Sequence, residues 1–285
     1  MGQYSIKDIE EITSIKAHTI RIWEKRYNIV VPKRTETNIR YYTDADLKRL
    51  LSISTLNNHG KKISHLAEMS SAQISKEIEA LSSHTNDAVL ERLKMAMLEF
   101  DEEVFSSIFN QQVAKVGLEK TIIETIYPFF EIVGNLWLSG SVNPAQEHFV
   151  SNLVRQKLYR YFDDMPQGSK KHFLVFLLEG EWHELGVLFY SVLLKSYGHK
   201  ITYLGQSCPK QDVSTTISQL NPDYCLTAFI STEGLDNHQT GLVELSERHK
   251  KVKFLLSGYL SEYIDQSILP KNVKKITLSN KLKSL

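Results

Sequence analysis

The chain has little cysteine and no long apolar run. Its two cysteines, Cys208 and Cys225, form no Cys-x-x-Cys pair, which indicates reduced thiols and argues against a disulfide framework or a cysteine-ligated zinc site. No stretch of about 18 or more apolar residues is present that could span a membrane. The first residues also contain no apolar signal core. The sequence therefore predicts a cytoplasmic protein without a membrane partner.

Net charge is low, but its distribution is uneven. A hydrophobic content of 42% and a charged content of 24% are those of an ordinary soluble protein, and 285 residues allow two or three domains. The formal net charge is +1, yet residues 16–40 contain seven basic and two acidic residues, a local net charge of +5. Such an excess indicates phosphate binding, although a solvated basic helix face would have the same composition.

The apolar pattern of residues 1–70 separates these two alternatives. It predicts helices over 4–13, 18–27 and 45–59, with a short polar hairpin over 34–42 before the third helix. The apolar residues at helical spacing, which we expect in the core, are Ile6, Ile9, Ile12, Ile20, Trp23 and Tyr27. A helix-turn-helix followed by a basic wing is a fold that binds DNA.

This segment closely resembles the winged-helix domain of MerR-type regulators. The family motifs Leu-Arg-x-Trp-Glu, Arg-Tyr, Pro-x-Arg and Arg-x-Tyr are met by Ile20-Arg21-Ile22-Trp23-Glu24, Arg26-Tyr27, Pro32-Lys33-Arg34 and Arg40-Tyr41-Tyr42. The resemblance implies that the second helix enters the major groove and that the wing contacts the flanking backbone. The residues it assigns to DNA contact are Thr19, Arg21, Arg26, Arg34, Arg40 and Tyr41. Tyr41 is either a wing contact or a packing residue, and Trp23 is expected in the core.

A second motif, Glu181-x-His183-x-x-Gly186, follows an apolar run over 172–178. The run indicates a buried parallel strand, which places the motif in a strand-to-helix turn at the carboxyl end of a sheet. There His183 could bind a metal while Glu181 accepts a hydrogen bond from its other ring nitrogen. Gly186 would let the backbone approach a bulky ligand. A helix-capping histidine in an ordinary doubly wound domain would give the same pattern.

The turn resembles the cobalamin-binding domains of methionine synthase and the mutases, whose pattern is Asp-x-His-x-x-Gly. The resemblance implies that His183 is the lower axial ligand of cobalt and that Glu181 replaces the family's aspartate. It also implies that Thr227 takes the place of a serine that accommodates the nucleotide tail. Gly258 keeps one of two family glycines that make space for the tail, and Ser257 replaces the other.

Trp137 and, after nine further residues, Glu147-His148 form a third motif in a region with helical periodicity. The motif resembles the cap of CarH/LitR-like photoreceptor repressors, which implies that these three side chains lie over the upper face of adenosylcobalamin or methylcobalamin. A capping acid and a buried histidine would be a purely structural account of the pair. In the light-sensing relatives a histidine follows the tryptophan and captures cobalt after photolysis. Leu138 stands at that position, so we predict photolysis without this capture.

The whole pattern predicts a multi-domain protein. We expect an all-α winged helix-turn-helix domain over 1–75, a four-helix bundle that caps the cobalamin over 76–166, and an α/β doubly wound, flavodoxin-like parallel sheet over 167–285. The expected strands are 172–178, 200–204, 224–230, 252–256 and 273–278, and the expected helices between them are 185–197, 211–219 and 241–249. Ligands of such sheets bind at the carboxyl ends of the strands.

Together these features predict a DNA-binding transcriptional regulator that is not an enzyme. It would bind double-stranded promoter DNA through residues 1–70, sense a cobalamin through the remainder, and form a homo-oligomer, either a dimer or a tetramer. The alternative is a MerR-type regulator whose carboxyl-terminal half is a degenerate, cofactor-free oligomerisation domain. A corrinoid carrier or methyl-transfer enzyme is the third hypothesis, but the chain has no barrel-sized substrate domain and such chemistry needs no basic amino-terminal domain.

Overall fold

The computed structural model describes residues 3–35, 37–82, 86–138 and 141–277, and for Glu79, Ser82 and Leu138 it describes the backbone alone. These residues form two compact units, which divide the chain at 153/154. The domain bounds expected at 75 and 166 stay a prediction. Within the described ranges, no helix is both long and apolar enough to cross a membrane.

The first unit begins with a winged helix-turn-helix. Its elements are α1 (Ile6–Thr13), α2 (Ala17–Tyr27), β1 (Lys33–Arg34), β2 (Arg40–Tyr41), α3 (Asp44–Asn58), α4 (Ile63–Glu68) and α5 (Ser71–Ser82). Capping boxes begin α1 and α3. The hydroxyls of Ser5 and Thr43 each accept a hydrogen bond from the backbone amide of the third helical residue, and the carboxylate of that residue accepts one from the backbone amide of the serine or threonine. The antiparallel strands β1 and β2 form the wing. The first three helices and the wing were predicted, whereas the bounds of α4 and α5 were not.

Helices continue through the rest of the first unit. They are α6 (Asn86–Glu99), α7 (Glu102–Val116), α8 (Leu118–Lys120), a π-helical turn (Thr121–Ile126), α9 (Tyr127–Leu138) and α10 (Pro144–Asp164), of which α10 runs on into the second unit. Asn143 starts α10, since its Oδ1 accepts a 3.0 Å hydrogen bond from the backbone amide of Gln146. The long helices confirm the expected helical bundle, whereas the π-helical turn was not predicted.

The second unit contains a five-stranded parallel sheet in the order β4-β3-β5-β6-β7. Its strands are β3 (His172–Leu178), β4 (Lys200–Cys208), β5 (Tyr224–Ala228), β6 (Lys253–Ser257) and β7 (Val273–Lys275), and its helices are α11 (Leu185–Ser196), α12 (Lys210–Leu220) and α13 (Leu235–Arg248). The strand order reverses between β3 and β5, and the crevice outside their carboxyl ends is where ligands of doubly wound sheets bind. The predicted fold class is confirmed.

Two element bounds differ from the sequence prediction for physical reasons. Strand β4 continues past the expected end at 204, because Gly205 at φ +83° and Ser207 at φ +52° accommodate register shifts against β3. Helix α13 begins at Leu235 rather than 241, since its first turns are polar and carry no apolar period. Strand β7 ends at Lys275, short of the predicted end at Leu278, which itself lies outside the described residues.

Candidate functional site

The turn after β3 is organised by a buried carboxylate. Glu181 is fully buried, and its Oε1 accepts hydrogen bonds from Nδ1 of His183 at 2.6 Å and from the backbone amide of His183 at 3.1 Å. Its Oε2 accepts from the backbone amides of Ile230 at 3.0 Å and Ser231 at 2.9 Å. The expected contact between the acid and the imidazole is therefore present. The carboxylate also joins the turn after β3 to the segment after β5, across the point where the strand order reverses.

The charge of Glu181 sets the state of the imidazole. Burial raises the pKa of Glu181, but hydrogen bonds from His183, Ser231 and Ile230 outweigh burial and lower the pKa to about 2. The carboxylate is therefore ionised at neutral pH and draws the ring proton of His183 to Nδ1. In that tautomer Nε2 is the ring nitrogen with the chemistry to coordinate a metal. The side chain of His183 is 59% exposed, so a large ligand can reach it.

A second buried acid, Glu184, directly follows His183 and connects the turn to α10 and β4. Its Oε1 lies 3.0 Å from Nε of Arg155 on α10, and its Oε2 accepts a 2.9 Å hydrogen bond from the hydroxyl of Tyr203 on β4. Burial and the Glu184 charge together raise the pKa of Tyr203 above its usual range. The ring of Tyr159, also on α10, packs edge-on against the ring of Tyr203, with 6.2 Å between the ring centroids. No sequence pattern indicated this cluster, which links the histidine turn to α10 and β4.

Thr227 carries a buried hydroxyl. The residue is 1% exposed, and its Oγ1 has no hydrogen-bond partner in the part of the chain that the structure describes. An unsatisfied buried polar group costs about 1–3 kcal/mol, so a polar group of a bound molecule would be stabilised here. At Gly186, a Cβ atom would meet nothing closer than Cδ1 of Ile230 at 3.9 Å. Packing among the described residues therefore does not require a glycine at this position.

The backbone conformation and close packing at position 258 require a glycine, which no sequence pattern indicated. Its φ is +93°, and an added Cβ would lie 2.3 Å from the carbonyl oxygen of Phe229. The backbone after β5 thus occupies the space beside this glycine. The neighbouring Ser257 donates a 2.9 Å hydrogen bond to the hydroxyl of Tyr190 on α11, and both side chains are buried. A role of Gly258 in holding a ligand stays a prediction.

The third motif lies in the first unit. Trp137 is 50% exposed near the end of α9. On α10, Oε2 of Glu147 lies 3.3 Å from Nδ1 of His148, whose side chain is 70% exposed. The structural account of a capping acid and a buried histidine is wrong, because Asn143 caps α10 and His148 faces outward. The side chain of Leu138 lies outside the described residues.

The predicted DNA contacts lie on the surface of the winged helix. Arg21, Arg26, Arg34 and Arg40 are exposed, and Thr19 and Tyr41 are partly exposed. Nη1 of Arg34 donates to Oδ1 of Asn38 at 2.8 Å, which orders the tip of the wing. Trp23 is 8% exposed and packs in the core, as expected. Tyr42 is fully buried and its hydroxyl donates to Glu24, which ties the wing to α2.

Hydrogen bonds connect the winged helix to the helical bundle within the first unit. Nζ of Lys94, on α6, lies 3.4 Å from the carbonyl oxygen of Ile12 at the end of α1. The hydroxyl of Ser141, between α9 and α10, donates a 2.6 Å hydrogen bond to Glu11 on α1. Helix α1 is therefore hydrogen bonded both to α6 and to the segment between α9 and α10.

Two protein families match separate parts of the chain. Residues 4–73 match the family described as "MerR HTH family regulatory protein", and residues 89–161 match the family described as "B12 binding domain". The chain is a MerR-type regulator with a B12 binding domain. The second match lies in the helices that precede the parallel sheet.

Individual relatives of this MerR-type regulator agree with that assignment. It is 27% identical over 253 residues to the HTH-type transcriptional repressor CarH of Myxococcus xanthus, covering 86% of this chain and 84% of the relative. It is 24% identical over 229 residues to the HTH-type transcriptional repressor CarA of the same organism, covering 79% and 76%. Both relatives are described as repressors of transcription.

A solved structure supports the fold. The monomethylamine corrinoid protein of Methanosarcina barkeri aligns with a TM-score of 0.55 at 14% identity, over 70% of this chain and 97% of that protein. At this identity the likeness concerns the fold alone, in which helices precede a doubly wound parallel sheet.

Proposed function

We propose that this regulator senses adenosylcobalamin or methylcobalamin and holds the cofactor through Nε2 of His183 as the lower cobalt ligand. The observation that carries the proposal is the ionised, fully buried Glu181, hydrogen bonded to Nδ1 of a histidine that is itself exposed. The cofactor would supply a cobalt–carbon bond. The protein's part is to present one imidazole nitrogen in a fixed tautomer, at the crevice where the strand order reverses.

The remaining predicted site residues have separate roles in this proposal. Gly186 lets the corrin approach the turn, and the hydroxyl of Thr227 hydrogen bonds to the nucleotide tail. Gly258 lines the path of that tail. In the first unit, Trp137, Glu147 and His148 contact the upper side of the cofactor. Trp137 supplies an exposed apolar surface for this role, and the Glu147–His148 pair supplies an exposed polar one.

We further propose that the protein binds promoter DNA as a dimer or tetramer in the cytoplasm. A symmetric oligomer of a helix-turn-helix protein presents two recognition helices, so a pseudo-palindromic site is expected. Cofactor state would change DNA binding through the contacts of α1 with Lys94 and Ser141.

The proposal is tested by reconstituting the full-length protein in darkness with adenosylcobalamin, methylcobalamin or hydroxocobalamin. Absorbance after gel filtration reports which form is retained, and footprinting on duplexes selected from a random pool reports DNA binding with and without it. We expect retention of at least one alkyl form and a change in DNA affinity or oligomeric state on loading. Failure to retain any of the three would contradict the proposal.

Glu181→Gln is expected to weaken cobalamin binding by about 10- to 100-fold, the usual effect of removing an outer partner of a metal-ligating histidine. Glutamine has no negative charge and one acceptor oxygen fewer than glutamate, so it holds the imidazole less strongly. The imidazole of His183 itself remains. Titration followed by absorbance measures the loss. Glu179→Gln, an exposed carboxylate two residues earlier, is the matched control and should bind as the wild type does. A larger loss in the control than in Glu181→Gln would count against this role.

The cofactor and Leu138 together determine the expected effect of light. Illumination should cleave the cobalt–carbon bond, because photolysis belongs to the cofactor. A leucine side chain cannot coordinate cobalt, so we expect no histidine capture at that position and weak coupling to the oligomer. Dark and illuminated samples are compared by absorbance and light scattering, for the wild type and for Leu138→His. A stable spectrum of cobalt between two imidazoles, with full dissociation in the wild type, would overturn this prediction.

A further inference from the structure

The outward face of α2 carries four exposed side chains. They are His18, Arg21, Ile22 and Lys25, and each of them lies three or four positions along the helix from two of the others. Side chains at that spacing share one face. The opposite face buries Ile20 and Trp23 in the domain core. The helix therefore presents a single surface to DNA, and three of its four members are basic or titratable side chains.

Ile22 is the apolar member of this group of four. It is 45% exposed, and it stands between Arg21 and Lys25 on the face that a recognition helix turns toward the major groove. An isoleucine makes no hydrogen bond to a base edge or a phosphate. The apolar feature on the major-groove edge of the base pairs is the C5-methyl group of thymine. The β-branched side chain is also restricted to few rotamers in a helix, so it loses little freedom on contact.

We propose that Ile22 is a specificity-determining residue that packs against the methyl group of a thymine in the major groove. This inference rests on the DNA-binding function of α2 and names one base that it reads. Other exposed apolar residues of the domain differ in position. Ile39, at 64% exposure, lies in the wing, which meets the DNA backbone rather than the base edges. It therefore serves as a matched control.

The test removes the methyl group from the DNA. Duplexes bound by the full-length protein are selected from a random pool, and each conserved thymine is then replaced singly by deoxyuridine. For the wild type, replacement at one position in each half-site should weaken binding roughly fourfold, the effect of losing the burial of one methyl group. Ile22→Ala should bind the thymine and deoxyuridine duplexes equally at that position. Ile22→Val, which keeps a branched side chain, should retain part of the difference.

The controls separate the outcomes. Ile39→Ala should retain the wild-type sensitivity to deoxyuridine at every position. Selection of duplexes without any sensitivity to methyl removal would overturn the role of Ile22 and leave DNA binding intact, and so would an Ile22→Ala variant that keeps the wild-type sensitivity. Failure to enrich any sequence would instead contradict the DNA-binding function itself.

Discussion

His183→Ala is expected to abolish stable retention of cobalamin, with a loss of affinity of more than about 100-fold, beyond the usual effect of outer-shell changes. The substitution removes the coordinating imidazole. Glu181 keeps its hydrogen bonds to the backbone amides of Ile230 and Ser231, so the turn should remain folded. Gel filtration followed by absorbance measures retention, and any residual complex should show a shifted spectrum.

Two controls make the result specific to ligation. His172→Ala changes a histidine at the amino end of β3, the strand that precedes the His183 turn. Its ring contacts Thr202, and its loss should leave cobalamin retention unchanged. Imidazole added to His183→Ala should restore part of the wild-type spectrum, which a purely structural defect would not allow. Equal retention by the wild type and His183→Ala would refute the assignment of His183 as the ligand.

DNA binding is expected to fall steeply with salt, which is the second large effect. If Arg26, Arg34 and Arg40 each neutralise one phosphate, the slope of log affinity against log salt is about three times −0.9, or roughly −2.7 per subunit. Arg40→Ala should weaken binding to all sequences alike and reduce the slope by about 0.9 per subunit. Binding measured across a salt series gives both values. A slope near zero would contradict phosphate contact by these residues.

Arg21→Ala should instead relax sequence preference. Arg21 lies on the outward face of α2, and loss of a good base contact costs about 1–3 kcal/mol of discrimination. Footprinting on the selected site and on variants with one changed base pair measures this preference. Lys7→Ala, an exposed lysine on α1, is the control and should change neither affinity nor preference. An unchanged preference in Arg21→Ala would exclude it from base readout.

The sequence predicted local features of the site well. Glu181 and His183 are two positions apart in a turn directly after a strongly apolar strand, so their contact depends on local structure alone. The winged helix could be predicted for a similar reason. Its apolar spacing and caps lie within short segments, and no distant residue is needed to define them.

Contacts between distant segments could not be predicted. Arg155, Glu184 and Tyr203 come from α10, the histidine turn and β4, and their meeting depends on how α10 packs against the edge of the sheet. Gly258 shows the same limit. Its close approach to the carbonyl oxygen of Phe229 is a tertiary contact that no sequence pattern reports. Local chemistry was therefore predictable, and its support by distant segments was not.

The nature of the lower cobalt ligand tests the central claim most directly. Protein labelled with ¹⁵N-histidine and unlabelled protein are each loaded with cobalamin and reduced to the cobalt(II) state, and their electron paramagnetic resonance spectra are compared. If His183 coordinates cobalt, the superhyperfine pattern should change from a triplet in unlabelled protein to a doublet in labelled protein, because the coupled nitrogen is then the protein's own. A triplet in both samples would show that the cofactor's own base remains bound and would contradict ligation by His183.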